Sequence, residues 1–300
     1  MIPWLNNGAP FPVVEQALRY PNGLLAAGGD LSVERLLDAY RHGIFPWFNA
    51  DEPILWWSPD PRMVLMLDEF RISRSLAKVL RNMDYEVRFD TDFERVMRSC
   101  AAPRSYRGEH HGTWIQESMI AAYCDLHRAG YAHSVEVWVP RKSHQLQVEG
   151  ETRRKRANEE ENIVSVYANL AGEVKPVKGG GNYSTVGTAR SERGSQHSIA
   201  DELELAGGLY GVSIGRMFFG ESMFSFASNT SKIALAHLVR QLERWQFRMI
   251  DCQMNTAHLA SLGAREIPRA EFITRLEELV NCEPVTHWQF DRDLFPRQTS

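Results

Sequence analysis

Ile250-Asp251-Cys252-Gln253 puts a carboxylate, a thiol and an amide in three consecutive positions. On a strand alternate side chains share a face, so Asp251 and Gln253 point together while Cys252 points away. A carboxylate inside an apolar strand ending is costly unless it is paired or functional. One alternative is an Asp that merely caps the helix starting near Thr256, and sequence alone leaves both readings open. Cys252 is also a candidate nucleophile, with His258 or His133 as its base. Against that, no cation or helix start is at hand to lower its pKa, and an isolated Cys is more often a small core residue. Gly220-Glu221-Ser222-Met223-Phe224-Ser225 sets one carboxylate among Met, Phe and small residues. Such a Glu can bind an ammonium group at the edge of an apolar pocket, or simply accept hydrogen bonds from loop amides. Trp47, Trp56, Trp57 and Trp114 can line a pocket or belong to the core.

A second constellation is electrostatic. Residues 71 to 108 hold nine Arg or Lys against five acids, a net of +4 in a chain whose overall charge is −4. Arg71, Arg74, Lys78 and Arg81 fall on one side of a helical pattern whose other side carries Ile72, Leu76, Val79, Leu80 and Met83. The stripe is either a solvated charged face or a row of phosphate contacts.

The elements that position these groups follow from periodicity. Ser32 can cap a helix carrying Val33, Leu36, Leu37 and Tyr40, with Gly43 as its stop. Prolines between Ile44 and Arg62 exclude a regular helix or a central strand there. Thr113-Trp114-Ile115-Gln116 has the capping-box form ahead of Met119, Ile120, Tyr123 and Leu126, with Gly130 ending that helix. His133 to Trp138, Leu209 to Val212, Met217 to Phe219 and Arg248 to Gln253 read as strands. Helices are expected from about Ser231 to Trp245 and around Phe272 to Val280. Strands and helices mixed without strict alternation indicate an α+β fold.

Residues 139 to 206 differ, with ten basic and ten acidic residues, a triple glycine and only Tyr167 and Tyr183 as aromatics. Low hydrophobicity and mixed charge predict a mobile insertion between two strands. Its Arg153-Arg154-Lys155-Arg156 cluster is a candidate nucleic-acid contact or a solvated loop.

With 43% hydrophobic and 24% charged residues the 300-residue chain has ordinary globular composition and enough apolar material for a sizeable core. Four scattered cysteines without a Cys-x-x-Cys pair argue against a disulfide framework or a structural zinc site. No signal peptide is expected from Met1-Ile2-Pro3-Trp4, and no apolar run approaches the roughly 20 residues of a membrane span.

Taken in order, several segments resemble the bacterial leucyl/phenylalanyl-tRNA–protein transferases. They are Pro21 to Ser32, Gly43 to Trp47, Ile54 to Arg62, Gly112 to Ile115, His133 to Trp138, Gly207 to Val212, Gly220 to Ser225, Asp251 to Gln253 and Ser261 to Ala264. The resemblance implies a cytoplasmic monomer that moves Leu or Phe, less readily Met, from aminoacyl-tRNA to proteins beginning with Arg or Lys, marking them for N-end-rule degradation. It implies a small N-terminal domain, residues 1–62. An acetyltransferase-like domain of the acyl-CoA N-acyltransferase type follows, residues 63–300, interrupted at 139–206. No metal, nucleotide cofactor or membrane is implied.

Carried over by position, Asp251 and Gln253 match the pair that assists attack by the acceptor's amine, and Glu221 lies near the aminoacyl group. Leu209, Phe218, Met223 and Ile250 match the apolar pocket. Trp47 and Trp114 match aromatics beside the terminal adenosine, and the stripe of Arg71, Arg74, Lys78 and Arg81 becomes a candidate for acceptor-stem phosphates. The 68 residues between Trp138 and Gly207 depart from the family's short hairpin connection. Two other classes remain. One is an acyl-CoA-dependent N-acyltransferase, for which Gln147-Val148-Glu149-Gly150-Glu151-Thr152 is an incomplete pyrophosphate loop; the other is a catalytically degenerate tRNA-binding protein.

Overall fold

Short extended pieces between prolines and glycines build the first sheet. Strands β1 (Trp4–Leu5), β2 (Leu24–Gly28), β3 (Phe45–Pro46) and β4 (Leu55–Trp57) lie in the order β1-β2-β4-β3, and helix α1 (Val33–Arg41) is inserted between β2 and β3. The expectation of no central strand between Ile44 and Arg62 is overturned: β4 is interior, because its three residues fall between Pro53 and Pro59 and are free of proline, while Pro46 sits on the edge strand, where a missing N–H does no harm. Ser32 caps α1 by accepting from Arg35 N–H, and Gly43, at φ +72°, turns the chain out of it, both as the sequence predicts. The computed structural model describes residues 2–102, 104–106, 109–111, 115–141 and 203–295.

From Arg62 onward the chain builds a second sheet. Strands β5 (Arg62–Met66), β6 (Glu86–Phe89), β9 (Ala132–Pro140), β10 (Leu203–Ile214), β11 (Met217–Ser225), β12 (Met249–Gln253) and β13 (Arg265–Ile267) form it in the order β13-β5-β12-β11-β10-β9-β6. Only the β11–β12 pairing is parallel. A separate hairpin, β7 (Arg104–Tyr106) and β8 (Glu109–His111), completes the strands among the described residues.

Among the described residues the remaining full helices are α2 (Arg74–Asn82), α3 (Phe93–Ala101), α4 (Glu117–Arg128), α5 (Thr230–Arg244), α6 (Ala257–Ser261) and α7 (Arg269–Val280). Tyr210 packs edge-on against Phe93 of α3 and Tyr123 of α4, whereas the backbone at Gly207 abuts Thr230 of α5. Three residues apart on one strand, these positions look to opposite faces, so the central strands are covered on both sides. That is why β9 and β10 are buried along nearly their whole length.

Several sequence expectations are corrected. The helix expected from the Thr113–Gln116 capping box starts at Glu117, and its Gln116 cap makes no side-chain capping bond; Gln116 instead donates to Phe48 O. Helix α2 begins at Arg74 under a Ser73 cap, so Arg71 precedes the helix and is not part of its face. The Thr256 hydroxyl, not Asp251, caps α6 by accepting from Leu259 N–H. The insertion expected at 139–206 is too wide at both ends, because β9 runs to Pro140 and β10 starts at Leu203 to pair with it; the rest of that stretch, including Arg153 to Arg156 and Gln147 to Thr152, lies outside the described residues.

The fold has little slack where β10 meets α5. A Cβ at Gly207 would lie 2.2 Å from the Thr230 hydroxyl oxygen, which itself donates to Ala206 O and Ala227 O. Gly207→Ala is expected to cost about 1–3 kcal/mol, seen as a thermal midpoint lowered by several degrees. An unchanged midpoint would mean that this contact relaxes freely.

Candidate active site

The Asp251 segment lies on β12 between β11 and β5, and its neighbours decide its chemistry. Arg62, the first residue of β5, faces it. Arg62 Nε donates to Asp251 Oδ1 at 2.8 Å and Nη2 donates to Oδ2 at 2.6 Å, with both side chains fully buried. A two-pronged guanidinium–carboxylate pair is the arrangement that makes a buried charge tolerable. The sequence reading missed Arg62. Its signal was the buried Asp itself, whose cost demands a cation somewhere in the fold.

The β12–β5 pairing is irregular between Asp251 and Gln253, so simple alternation does not hold at Cys252. Gln253 adopts φ +54°, left-handed for a residue with a side chain, and its N–H donates to Asp251 Oδ1 at 2.9 Å. Asp251 and Gln253 are brought together as expected, but by a backbone hydrogen bond and a bulge. Cys252 is buried, and burial pushes its thiol well above the ordinary value, opposite to what a nucleophile needs.

Glu221 occupies a second irregularity. Tyr210 pairs with Ser222 and Gly211 with Gly220, leaving Glu221 as the extra residue on β11. Its side chain is 1% exposed. Tyr40 of α1 donates to Oε1 at 2.8 Å, Tyr123 of α4 donates to Oε2 at 3.1 Å, and the two hydroxyls touch each other. Gln253 Nε2 reaches Oε1 at 3.5 Å, linking the two segments. Glu221 therefore accepts from tyrosine hydroxyls and not from loop amides. Burial raises its pKa from 4.5 to about 7, against the pull of the two tyrosine hydrogen bonds, and the Asp251 charge adds to the rise. Burial likewise raises both tyrosines well above their ordinary value. The sequence had placed Tyr40 and Tyr123 only on the core faces of their helices; a buried phenol needing a partner was the unused signal.

Strand register puts Leu209 opposite Met223 and Phe218 opposite Ile250. All four fall on one face of the sheet, the face on which Gly211 and Gly220 lack side chains. Trp56 and Trp57 are buried, their indole N–H groups donating to Gly28 O and Trp47 O. Trp47 packs edge-on against Trp57, and its own buried N–H has no partner among the described residues. Trp114 lies outside those residues. Arg71, Arg74, Lys78 and Arg81 are exposed and form no ion pair with a described residue. No helix among the described residues is long and apolar enough to cross a membrane.

The raised pKa of Glu221 has a thermodynamic consequence. A carboxyl whose folded pKa lies above its unfolded value binds more protons when folded, so its contribution falls as pH rises from about 4.5 to about 7. Glu221→Gln is accordingly expected to gain stability relative to the parent by about 3 kcal/mol between pH 5 and pH 8. A difference in thermal midpoint that stays constant over that range would refute the buried, proton-sharing carboxyl.

Comparison with known proteins follows the same residues. The family model described as leucyl/phenylalanyl-tRNA protein transferase matches residues 64–146 and 188–277, and the model for that family's N-terminal domain matches 29–60. The leucyl/phenylalanyl-tRNA–protein transferase of Nitrosospira multiformis is 51% identical over 98% of this chain and 99% of its own length. Those of Nitrosomonas europaea and Thiobacillus denitrificans are 50% and 51% identical, covering 97% and 95% of this chain and 96% and 97% of their own. A crystal structure of FemX aligns with 81% of this chain and 71% of its own at 10% identity and a TM-score of 0.39, too remote to carry an argument. The family model spans the Glu221 and Asp251 segments, and relatives at about half identity run nearly end to end, so this chain belongs to the leucyl/phenylalanyl-tRNA protein transferase family.

Proposed function

We propose that this chain transfers Leu or Phe, and less readily Met, from aminoacyl-tRNA to the N-terminal Arg or Lys of acceptor proteins, marking them for N-end-rule degradation. It would act as a cytoplasmic monomer without a metal or nucleotide cofactor. Residues 1–62 would form a small N-terminal domain and 63–300 an acetyltransferase-like domain, with 139–206 as an insertion. The observation that carries the reading is the buried Glu221–Gln253–Asp251 array in a chain of this family.

The chemistry needs few groups, because the aminoacyl ester is already activated. The acceptor's α-amine attacks the ester carbonyl, a C–N bond forms, and the C–O bond to the ribose breaks. The proton lost from the amine ends on the departing ribose oxygen. A carboxyl with a pKa of about 7 is suited to take and return that proton near neutral pH, which favours Glu221 for the transfer. Both Asp251 oxygens are already engaged by Arg62, and one also by Gln253 N–H, so Asp251 serves as a fixed anion that orients Gln253. Leu209, Phe218, Met223 and Ile250 would receive the apolar side chain of the donor amino acid. Trp47 would stack on the terminal adenosine, as would Trp114, and Arg71, Arg74, Lys78 and Arg81 would neutralise acceptor-stem phosphates.

Two experiments test this. Purified protein, radiolabelled Leu-tRNA or Phe-tRNA, and two peptides differing only in Arg or Ala at the N-terminus should give label on the Arg peptide alone. Bound tRNA with no label on either peptide would identify a degenerate tRNA-binding protein. Separately, reversing charge in Arg74→Glu/Lys78→Glu should weaken tRNA binding and flatten its logarithmic salt slope by about 2. An unaltered slope removes the stripe from the interface.

A further inference from the structure

Arg62 does more than neutralise Asp251. Its third contact, Nη1 to Gly43 O at 3.1 Å, reaches the turn that follows α1, the helix that carries Tyr40. Its guanidinium lies 4.8 Å from the Phe45 ring centroid and 4.7 Å from that of Phe272 on α7. Hydrogen bonds in the plane of the fork and rings beside it leave this group few ways to move. The Asp251 oxygen that accepts from Arg62 Nε also accepts from the Gln253 N–H, and Gln253 sits at φ +54°. A residue with a side chain stays in that region only when its surroundings over-determine it. From that backbone position the Gln253 amide meets Glu221 at 3.5 Å.

We propose that Arg62 is a positioning residue for aminoacyl transfer: acting through the Asp251 carboxylate, it locks the left-handed backbone of Gln253 and so aims the Gln253 amide at Glu221. The role rests on the transfer reading given above. It needs the planar, two-pronged fork of Arg. Lys would keep the charge and supply a single point contact, leaving one carboxylate oxygen without its cationic donor and the carboxylate free to rotate away from the Gln253 N–H.

The test compares full-length parent, Arg62→Lys, Gln253→Ala and the double variant in transfer of Leu from Leu-tRNA to the Arg-starting peptide. Arg62→Lys should lower kcat by about tenfold to a hundredfold, with KM for Leu-tRNA within about twofold of the parent. The double variant should be no slower than the slower single variant, because both changes remove the same alignment. An Arg62→Lys kcat equal to the parent's overturns the proposal, as does a loss that multiplies with that of Gln253→Ala. A loss shared equally by tRNA binding and turnover, following the unfolded fraction, also overturns it.

If Arg62→Lys does not fold, Phe272→Leu removes one ring beside the guanidinium while leaving the ion pair in place. It should lower kcat by about threefold or more with the same lack of additivity towards Gln253→Ala. Parent-like kcat in Phe272→Leu, or a multiplicative loss, then counts against the proposal. A parent enzyme that transfers no label overturns the transfer reading itself, and the Arg62 role with it. A parent that transfers beside an unimpaired Arg62→Lys sinks the Arg62 role alone.

Discussion

The buried pair between Arg62 and Asp251 is the constraint around which the site is arranged. Neither charge can leave water alone, and neither can be removed singly without stranding the other at a cost of about 3–5 kcal/mol. Satisfying Arg62 recruits the Gly43 carbonyl and the rings of Phe45 and Phe272. Satisfying Asp251 recruits the Gln253 N–H. One ion pair thus ties the turn after α1, the edge strand β3, the first strand of the large sheet, β12 and α7 to a single geometry. The order of these pieces along the chain gives no hint of the connection, because the partners stand 189 positions apart.

The second carboxylate is handled in the opposite way. Glu221 receives two phenolic hydroxyls and a distant amide and no ion pair among the described residues, and its burial raises the pKa to about 7. The two carboxylates of the cluster are held by different partners. Asp251 has a guanidinium on both oxygens, while Glu221 is held at a pKa of about 7 by burial. An ion-paired carboxylate and a titrating one therefore stand side by side.

Both segments sit where the sheet breaks its own regularity. Glu221 is the extra residue on β11, and the Asp251–Gln253 step is the irregular one on β12. Bulges re-aim side chains that strict alternation would send to the two faces in turn. Here they bring the Glu221 carboxylate and the Gln253 amide within reach of each other, while Leu209, Phe218, Met223 and Ile250 keep regular register on a single face. The missing side chain at Gly211 makes room for the Phe218 ring, which would lie 2.5 Å from a Cβ there, and a Cβ at Gly220 would stand 3.4 Å from Ile250.

By itself the sequence determined the mixed α+β character, the positions of the main helices and central strands, and the segments carrying Glu221 and Asp251. These follow from short-range causes: the Ser32 cap, the Gly43 and Gly130 stops, apolar periodicity and local motif order; the Ser73 and Thr256 caps are equally local but went unread. The prolines between Ile44 and Arg62 did exclude a regular helix there, but not the short interior strand β4 that fits between Pro53 and Pro59. Only the tertiary structure decided who meets whom. It supplied Arg62 to Asp251 and Tyr40 and Tyr123 to Glu221. It also turned Gln253 left-handed, with its N–H on the Asp251 carboxylate that Arg62 holds. The physical reason is range. Periodicity and capping act over a few residues, whereas a buried charge is satisfied by whichever donor the folded chain brings within about 3 Å, however distant in sequence.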